Sequence, residues 1–177
     1  MTREQLEHLL RAAGSIAGQR RILVIGSQSI LGAVPDAPAA LRHSMEADLA
    51  PLDRPDMADL IDGTIGEGSM FHDTFGYYAQ GVDLTTAKLP SGWEGRLVPV
   101  STAGTRDVVG LCLDPVDLIV SKYAAGREKD YEFIREAFRN HLVSPEAVLE
   151  RIDSLPDHSR EALDTMKVKV RRDSTVV

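Results

Sequence analysis

The feature that most constrains the fold is a short apolar run, ILVI at residues 22–25, which stops abruptly at Gly26 and Ser27. A continuous apolar run of this length is typical of a strand buried inside a sheet. The segment that follows, SQSILGAV, is predicted to start a helix with Ser27 as its N-terminal cap. A buried strand that passes directly into a helix predicts an α/β fold, and the glycine at this step allows another group to approach the backbone closely.

The composition narrows the class of protein further. The chain has 177 residues, which suits one domain with a substantial core. Its net charge of −7 argues against a surface that coats nucleic acid uniformly. The single cysteine, Cys112, is expected to be buried and is compatible with a reducing compartment. The N-terminal segment lacks the apolar core of a signal peptide, and no apolar run approaches the roughly 20 residues that cross a membrane. These observations predict a cytoplasmic protein with no membrane partner.

Helix and strand signals then alternate along the chain. Residues 2–13 are predicted as a helix that Thr2 caps and Gly14 ends. Further strands are predicted from alternating or β-branched segments, at residues 45–52, 77–86, 96–101 and 108–113. Further helices are predicted from apolar spacing and start signals, at residues 56–65, 115–125, 129–142, 144–155 and 161–166. The basic tail after these helices ends in a β-prone stretch. This order predicts an α/β (α+β) fold in which helices flank a mixed β-sheet. We expect one domain over residues 1–177, with an α/β core at 1–113 and a mainly helical part at 114–177.

Two carboxylates stand out on the predicted strand at residues 45–52. Glu46 and Asp48 alternate, so both side chains project from one face of the strand. Two such carboxylates can share a divalent cation, and Mg²⁺ prefers oxygen ligands and bridges to substrate phosphates. Gly26 and Ser27 open a helix whose free N–H groups suit a phosphate. The alternative interpretation is an ordinary capped turn beside a solvated strand face.

A second group of charged residues follows in the segment DPVDLIVSKYAAGREKD. Lys122, Arg127, Lys129 and Asp130 fall within nine residues, and Lys122 and Gly126 are predicted to share a helix face with Lys129 one turn further on. Cations placed in this way would stabilise the charge of a bound triphosphate. The alternative is a solvated basic helix face.

The order of these motifs resembles the nucleotidyltransferase-fold superfamily, and the resemblance covers roughly residues 20 to 140. That superfamily includes poly(A) polymerases, antibiotic nucleotidyltransferases and bacterial toxins of the abortive-infection type. Its pattern is a strand, Gly-Gly or Gly-Ser, a helix, two alternating acids on the next strand and a third acid on a later strand. Gly26-Ser27 matches the first part, and Glu46 and Asp48 match the second, with Glu46 where the family has Asp.

The resemblance implies a role for each matching residue. Glu46, Asp48 and a third acid would be catalytic and would hold Mg²⁺ or Mn²⁺. Asp83 is the first candidate for the third acid, because it is predicted to lie inside a strand, and Asp73 is the second. The nucleoside triphosphate (NTP) substrate would be bound by the remaining matches: Gly26, Ser27, Lys122, Arg127 and Asp130, the last orienting a cation.

The function implied is transfer of a nucleoside monophosphate from an NTP to RNA, protein or a small molecule. A bacterial toxin–antitoxin component, with a cognate antitoxin as partner, is one form of this expectation. Two alternatives stay open: a catalytically inactive nucleotidyltransferase-fold protein that binds or regulates, and a purely structural α/β subunit. Convergence of Glu46, Asp48 and Asp83 on one pocket with Ser27 would separate these alternatives.

Overall fold

A computed structural model describes residues 1–175 and contains one mixed five-stranded sheet. The order across the sheet is β3-β2-β1-β5-β4. β1 pairs antiparallel with β2 and parallel with β5, β2 pairs parallel with β3, and β4 pairs antiparallel with β5. The strands have these bounds: β1 Arg21–Ile25, β2 Glu46–Pro51, β3 Tyr78–Gly81, β4 Val98–Val100 and β5 Val109–Cys112. The mixed sheet predicted from the sequence is therefore confirmed, and its central strand is the apolar run.

Helices flank this sheet and form the C-terminal part of the chain, as predicted. They have these bounds: α1 Arg3–Ala17, α2 Ile30–Ala33, α3 Ala58–Ile65, α4 Met70–Phe75, α5 Pro115–Ala125, α6 Asp130–Arg139, α7 Pro145–Ile152 and α8 Arg160–Thr175. α1 begins with the predicted capping box between Thr2 and Gln5. It does not end at Gly14 as predicted. A β-carbon there would lie 2.3 Å from a Val108 methyl group, so this glycine permits close packing inside a helix that continues to Gly18.

Two further local predictions are wrong, one helix was missed, and one predicted helix is longer than expected. Ser27 does not cap a helix, because a 3₁₀ turn at Ser27–Ser29 precedes the single turn of α2 and Ser27 makes no capping hydrogen bond. The strand predicted at 77–86 ends at Gly81. The helix α4 was not predicted. The basic tail is helical through Thr175, as the last part of α8, whereas the final residues 176 and 177 lie outside the described part.

One hydrophobic core includes buried side chains from Met1, just before α1, to Val170 in α8. Cys112 is buried in it, and burial raises the pKa of its thiol to about 12, as expected for a packing residue. Within residues 1–175, no helix is long and apolar enough to cross a membrane.

Two fully buried carboxylates tie α5 to the rest of the molecule. Asp117, in the first turn of α5, accepts hydrogen bonds from Arg96 at 2.9 and 3.0 Å and also pairs with Arg151 of α7. Asp173, in α8, accepts a hydrogen bond from the Tyr123 hydroxyl of α5 at 3.3 Å and pairs with Arg172 at 2.9 Å. Because a buried charge is costly unless it is paired, these contacts fix the position of α5.

Candidate active site

A cavity of about 1050 Å³ opens beside the ends of β1 and β2, and α5 and α6 form its opposite wall. The eight residues to which the family resemblance assigns a site role line this cavity: Gly26, Ser27, Glu46, Asp48, Asp83, Lys122, Arg127 and Asp130. They come from segments that are distant in the sequence, so the cavity forms only in the folded chain.

Glu46 and Asp48, here called the acid pair, lie on one face of β2 as the alternation predicted. Asp48 stands opposite Ile25 in the antiparallel register, which places its carboxylate beside Gly26. Gly26 has a φ of +69°, and a β-carbon at this position would lie 1.9 Å from Asp48 Oδ2. Only glycine therefore leaves room for this carboxylate. The glycine–serine step is needed both for its backbone conformation and for the close approach of the acid.

The negative charge of the acid pair is only partly compensated by the cations around it. The pKa of Asp48 is raised to about 6, first by burial and then by the charge and hydrogen bonding of Glu46. Lys122 and Arg127 oppose this shift but do not cancel it. The free energy of the site therefore falls when a proton or a metal cation neutralises the pair.

A buried lysine stands across the cavity from these acids. Lys122 Nζ donates to Ser27 Oγ at 2.9 Å and to Asp130 Oδ1 at 2.5 Å, and these three residues are here called the lysine corner. The lysine side chain is 7 % exposed, and its ammonium group lies 4.5 Å from the centroid of the Phe133 ring. Burial lowers the pKa of Lys122, whereas Asp130 and Asp48 raise it. Its charge is thus held between the strand-to-helix turn and α6.

The lysine corner is assembled by a break in the helix and not by one continuous face. α5 ends at Gly126, which adopts a φ of +64°, and α6 begins at Asp130. The chain turns between them and brings Asp130 beside Lys122. The prediction that Lys122, Gly126 and Lys129 share one helix face is therefore wrong, although Lys129 and Arg127 both line the cavity.

Asp83 reaches the cavity but not in the expected way. It follows β3 instead of lying in a strand, and its Oδ1 accepts a hydrogen bond from the Thr85 N–H at 2.8 Å. That hydrogen bond lowers the pKa of this exposed carboxylate. Within residues 1–175, no three acidic, histidine or cysteine side chains form a group that could hold a metal ion. Asp73 lies exposed in α4 and is not among the residues that line the cavity.

Three lining or supporting residues were missed in the sequence. Tyr78 stands opposite Glu46 and Gln80 opposite Asp48 in the parallel register of β2 and β3, and the Gln80 side chain is exposed in the cavity. Lys88 adds a cation to the wall. The alternation in YYAQG was the available signal, because it places residues 78 and 80 on one face.

The acid pair fits a divalent cation by its chemistry. Both side chains offer carboxylate oxygens, which Mg²⁺ and Mn²⁺ prefer, and the repulsion that raises the pKa of Asp48 would be relieved by a cation. Two carboxylates suffice for Mg²⁺ in many nucleotide sites, because waters and substrate phosphates complete its coordination.

Comparison with known proteins agrees with this arrangement. No curated protein and no solved structure showed significant similarity to the chain. A protein-family model does match, over residues 4–173, and its family is described as "Nucleotidyltransferase of unknown function (DUF6036)". An NTP is the substrate that membership of such a family implies. The match spans the sheet, the acid pair, the lysine corner and the C-terminal helices, and the chain belongs to this nucleotidyltransferase family.

Proposed function

We propose that the protein transfers a nucleoside monophosphate from an NTP to a hydroxyl or phosphate group on RNA, protein or a small molecule. The observation that carries this proposal is that the acid pair and the lysine corner face the same cavity. A divalent cation needs the carboxylates of the acid pair, and a triphosphate needs the positive charge of the lysine corner, so both must face one cavity. A role as one component of a toxin–antitoxin pair belongs to the same proposal.

In this proposal the acid pair holds Mg²⁺ or Mn²⁺. When bound, this ion would supply positive charge against the negative charge that develops on the phosphoryl group during transfer. In this proposal Asp83 is not one of its ligands, because its Oδ1 already accepts a hydrogen bond from the Thr85 N–H. Glu46, whose side chain is one methylene longer than the family's aspartate, would be the second protein ligand. Water and phosphate oxygens supply the remaining ligands.

The lysine corner binds the triphosphate. Lys122 and Arg127 provide positive charge, and Asp130 keeps the Lys122 ammonium group oriented towards Ser27. The backbone at Gly26 and Ser27 lies close enough to the acids for a phosphate to touch both walls. Because α2 has only one turn, its dipole contributes little, and the side chains supply most of the attraction. Catalysis then depends on positioning and electrostatic stabilisation.

The decisive experiment is incubation of the protein with each labelled NTP, Mg²⁺ or Mn²⁺, and total RNA or protein. We expect one acceptor class to gain label with the wild type and with Asp83→Asn, and no label with Asp48→Asn. Asp83→Asn is the matched control, since it removes a carboxylate from the same cavity. Equal labelling by wild type and Asp48→Asn would exclude the proposed role of the acid pair.

A catalytically inactive, nucleotide-binding protein is the second candidate. It is favoured by the absence, within residues 1–175, of a three-acid metal group. Calorimetry separates the two candidates. An inactive binder takes up an NTP with Mg²⁺ yet labels no acceptor, whereas the transferase does both.

A further inference from the structure

Tyr78 is joined to the acid pair from the neighbouring strand. It stands directly opposite Glu46 in the register of β2 and β3, and its hydroxyl donates to Glu46 Oε2 at 3.3 Å. It is half-buried, and it does not line the cavity itself. Its hydroxyl therefore approaches the carboxylate from the side and leaves the cavity open for a substrate.

The Tyr78 ring is itself held in place by α4. The His72 ring packs against it, with 4.6 Å between the ring centroids and an angle of 50° between the planes. His72 Nδ1 accepts a hydrogen bond from the Gly68 N–H at 3.1 Å, which fixes the imidazole. The side chain of Ser69 caps α4 by accepting from the His72 N–H. α4 has no residue in the cavity, yet it supports Tyr78, which contacts Glu46.

Glu46 needs such support more than an aspartate would. Its extra methylene adds a rotatable bond, so more orientations are open to its carboxylate. The charge of Asp48 repels it, which favours orientations that turn away from the acid pair. A hydrogen-bond donor on the next strand limits both effects.

We propose that Tyr78 is a positioning residue whose hydroxyl holds the Glu46 carboxylate beside Asp48, with His72 holding the tyrosine ring. This inference rests on the proposed function, because the geometry it maintains is that of the metal-binding acid pair. Partners of this kind orient the groups that coordinate a metal, and their removal typically lowers metal affinity about 10–100-fold.

The test is Mn²⁺ binding measured by calorimetry with Mn²⁺ alone, together with urea unfolding of each variant. We expect Tyr78→Phe to weaken Mn²⁺ affinity about tenfold, the lower end of the range, because the hydrogen bond is long. Tyr77→Phe is the matched control. The Tyr77 hydroxyl contacts His8 Nδ1 at 2.7 Å, away from the acid pair. The Mn²⁺ affinity of Tyr77→Phe should therefore equal that of the wild type.

A second pair of variants distinguishes positioning from a general structural effect. In Glu46→Asp the shorter side chain no longer reaches Tyr78, so adding Tyr78→Phe should not weaken Mn²⁺ binding further. An equal loss in both backgrounds, or wild-type affinity in Tyr78→Phe, would overturn the inference while leaving the metal site intact. Absence of Mn²⁺ binding to the wild type would instead overturn the proposed metal site, and this inference with it.

Discussion

Replacing Asp48 with asparagine should make the protein more stable at neutral pH. The substitution keeps the shape of the side chain and removes a charge that the fold holds against Glu46. The carboxylate has a pKa of about 6 in the folded protein, against 3.8 for an ordinary aspartate. The folded state therefore binds this proton more tightly than the unfolded chain does, and the free energy of unfolding falls as the pH rises through this interval.

The size of the effect follows from the two pKa values. The difference is roughly two pKa units, and each unit corresponds to about 1.36 kcal/mol, so the charge costs up to about 3 kcal/mol of stability above pH 7. Below pH 4 the folded protein keeps the proton, and most of the cost disappears. Asp48→Asn should therefore match the wild type near pH 4 and exceed it by up to about 3 kcal/mol at pH 7.5.

Urea unfolding of wild type and Asp48→Asn across this pH range measures the difference in their free energies of unfolding. The contributions of the other titratable groups are common to both proteins and cancel. Adding Mg²⁺ at pH 7.5 should stabilise the wild type and leave Asp48→Asn unchanged. Asp83→Asn is the control of opposite sign, because the pKa of Asp83 is lowered by its hydrogen bond to the Thr85 N–H. A gap between wild type and Asp48→Asn that does not change with pH would refute the reasoning, because the acid pair would then carry no strain from its charge.

Three other substitutions test the site and its support. Gly26→Ala should destabilise the protein by about 1–3 kcal/mol more than Gly18→Ala in urea unfolding, because both glycines have positive φ but only the first faces a carboxylate. Gly26→Ala should also abolish Mn²⁺ binding. Lys122→Met should lower the free energy of unfolding by about 3–5 kcal/mol, because Asp130 is then buried without its cation. Adding Asp130→Asn should restore much of this stability. NTP affinity, measured by calorimetry, should not be restored. Asp117→Ala should also lower the free energy of unfolding in urea by about 3–5 kcal/mol, since Asp117 is fully buried between two arginines. An unchanged free energy of unfolding would show that these ion pairs do not hold α5.

The sheet and most of the site could be predicted from the sequence because their signals are local. The apolar run before Gly26, the alternation of Glu46 and Asp48, and the Asp-Pro start of α5 each depend on a few neighbouring residues. The resemblance to the nucleotidyltransferase-fold superfamily then predicted that these segments form one site.

The errors arose where tertiary packing overrides a local signal. α3 crosses β3 closely at Gly81, where a β-carbon would lie 1.9 Å from the Ala58 carbonyl oxygen, and the strand ends at this residue. Nothing in the stretch YYAQGVDLTT shows that crossing, so Asp83 was predicted to lie in a strand. Gly14 was interpreted as a helix end for the same reason, since its partner Val108 is distant in the sequence. The helix α4 could have been found, because Ser69 and Gly76 bracket it as caps.

The anchoring of α5 determines when this protein can first work during its synthesis. Ser27 and Lys122 are 95 positions apart, so the two walls of the cavity cannot meet until the segment through α6 has left the ribosome. The helix that carries Lys122 is held through Tyr123 by Asp173, near the very end of α8. A growing chain therefore carries the acid pair long before it can hold a triphosphate. Its proposed activity would therefore begin only once α8 has docked against α5.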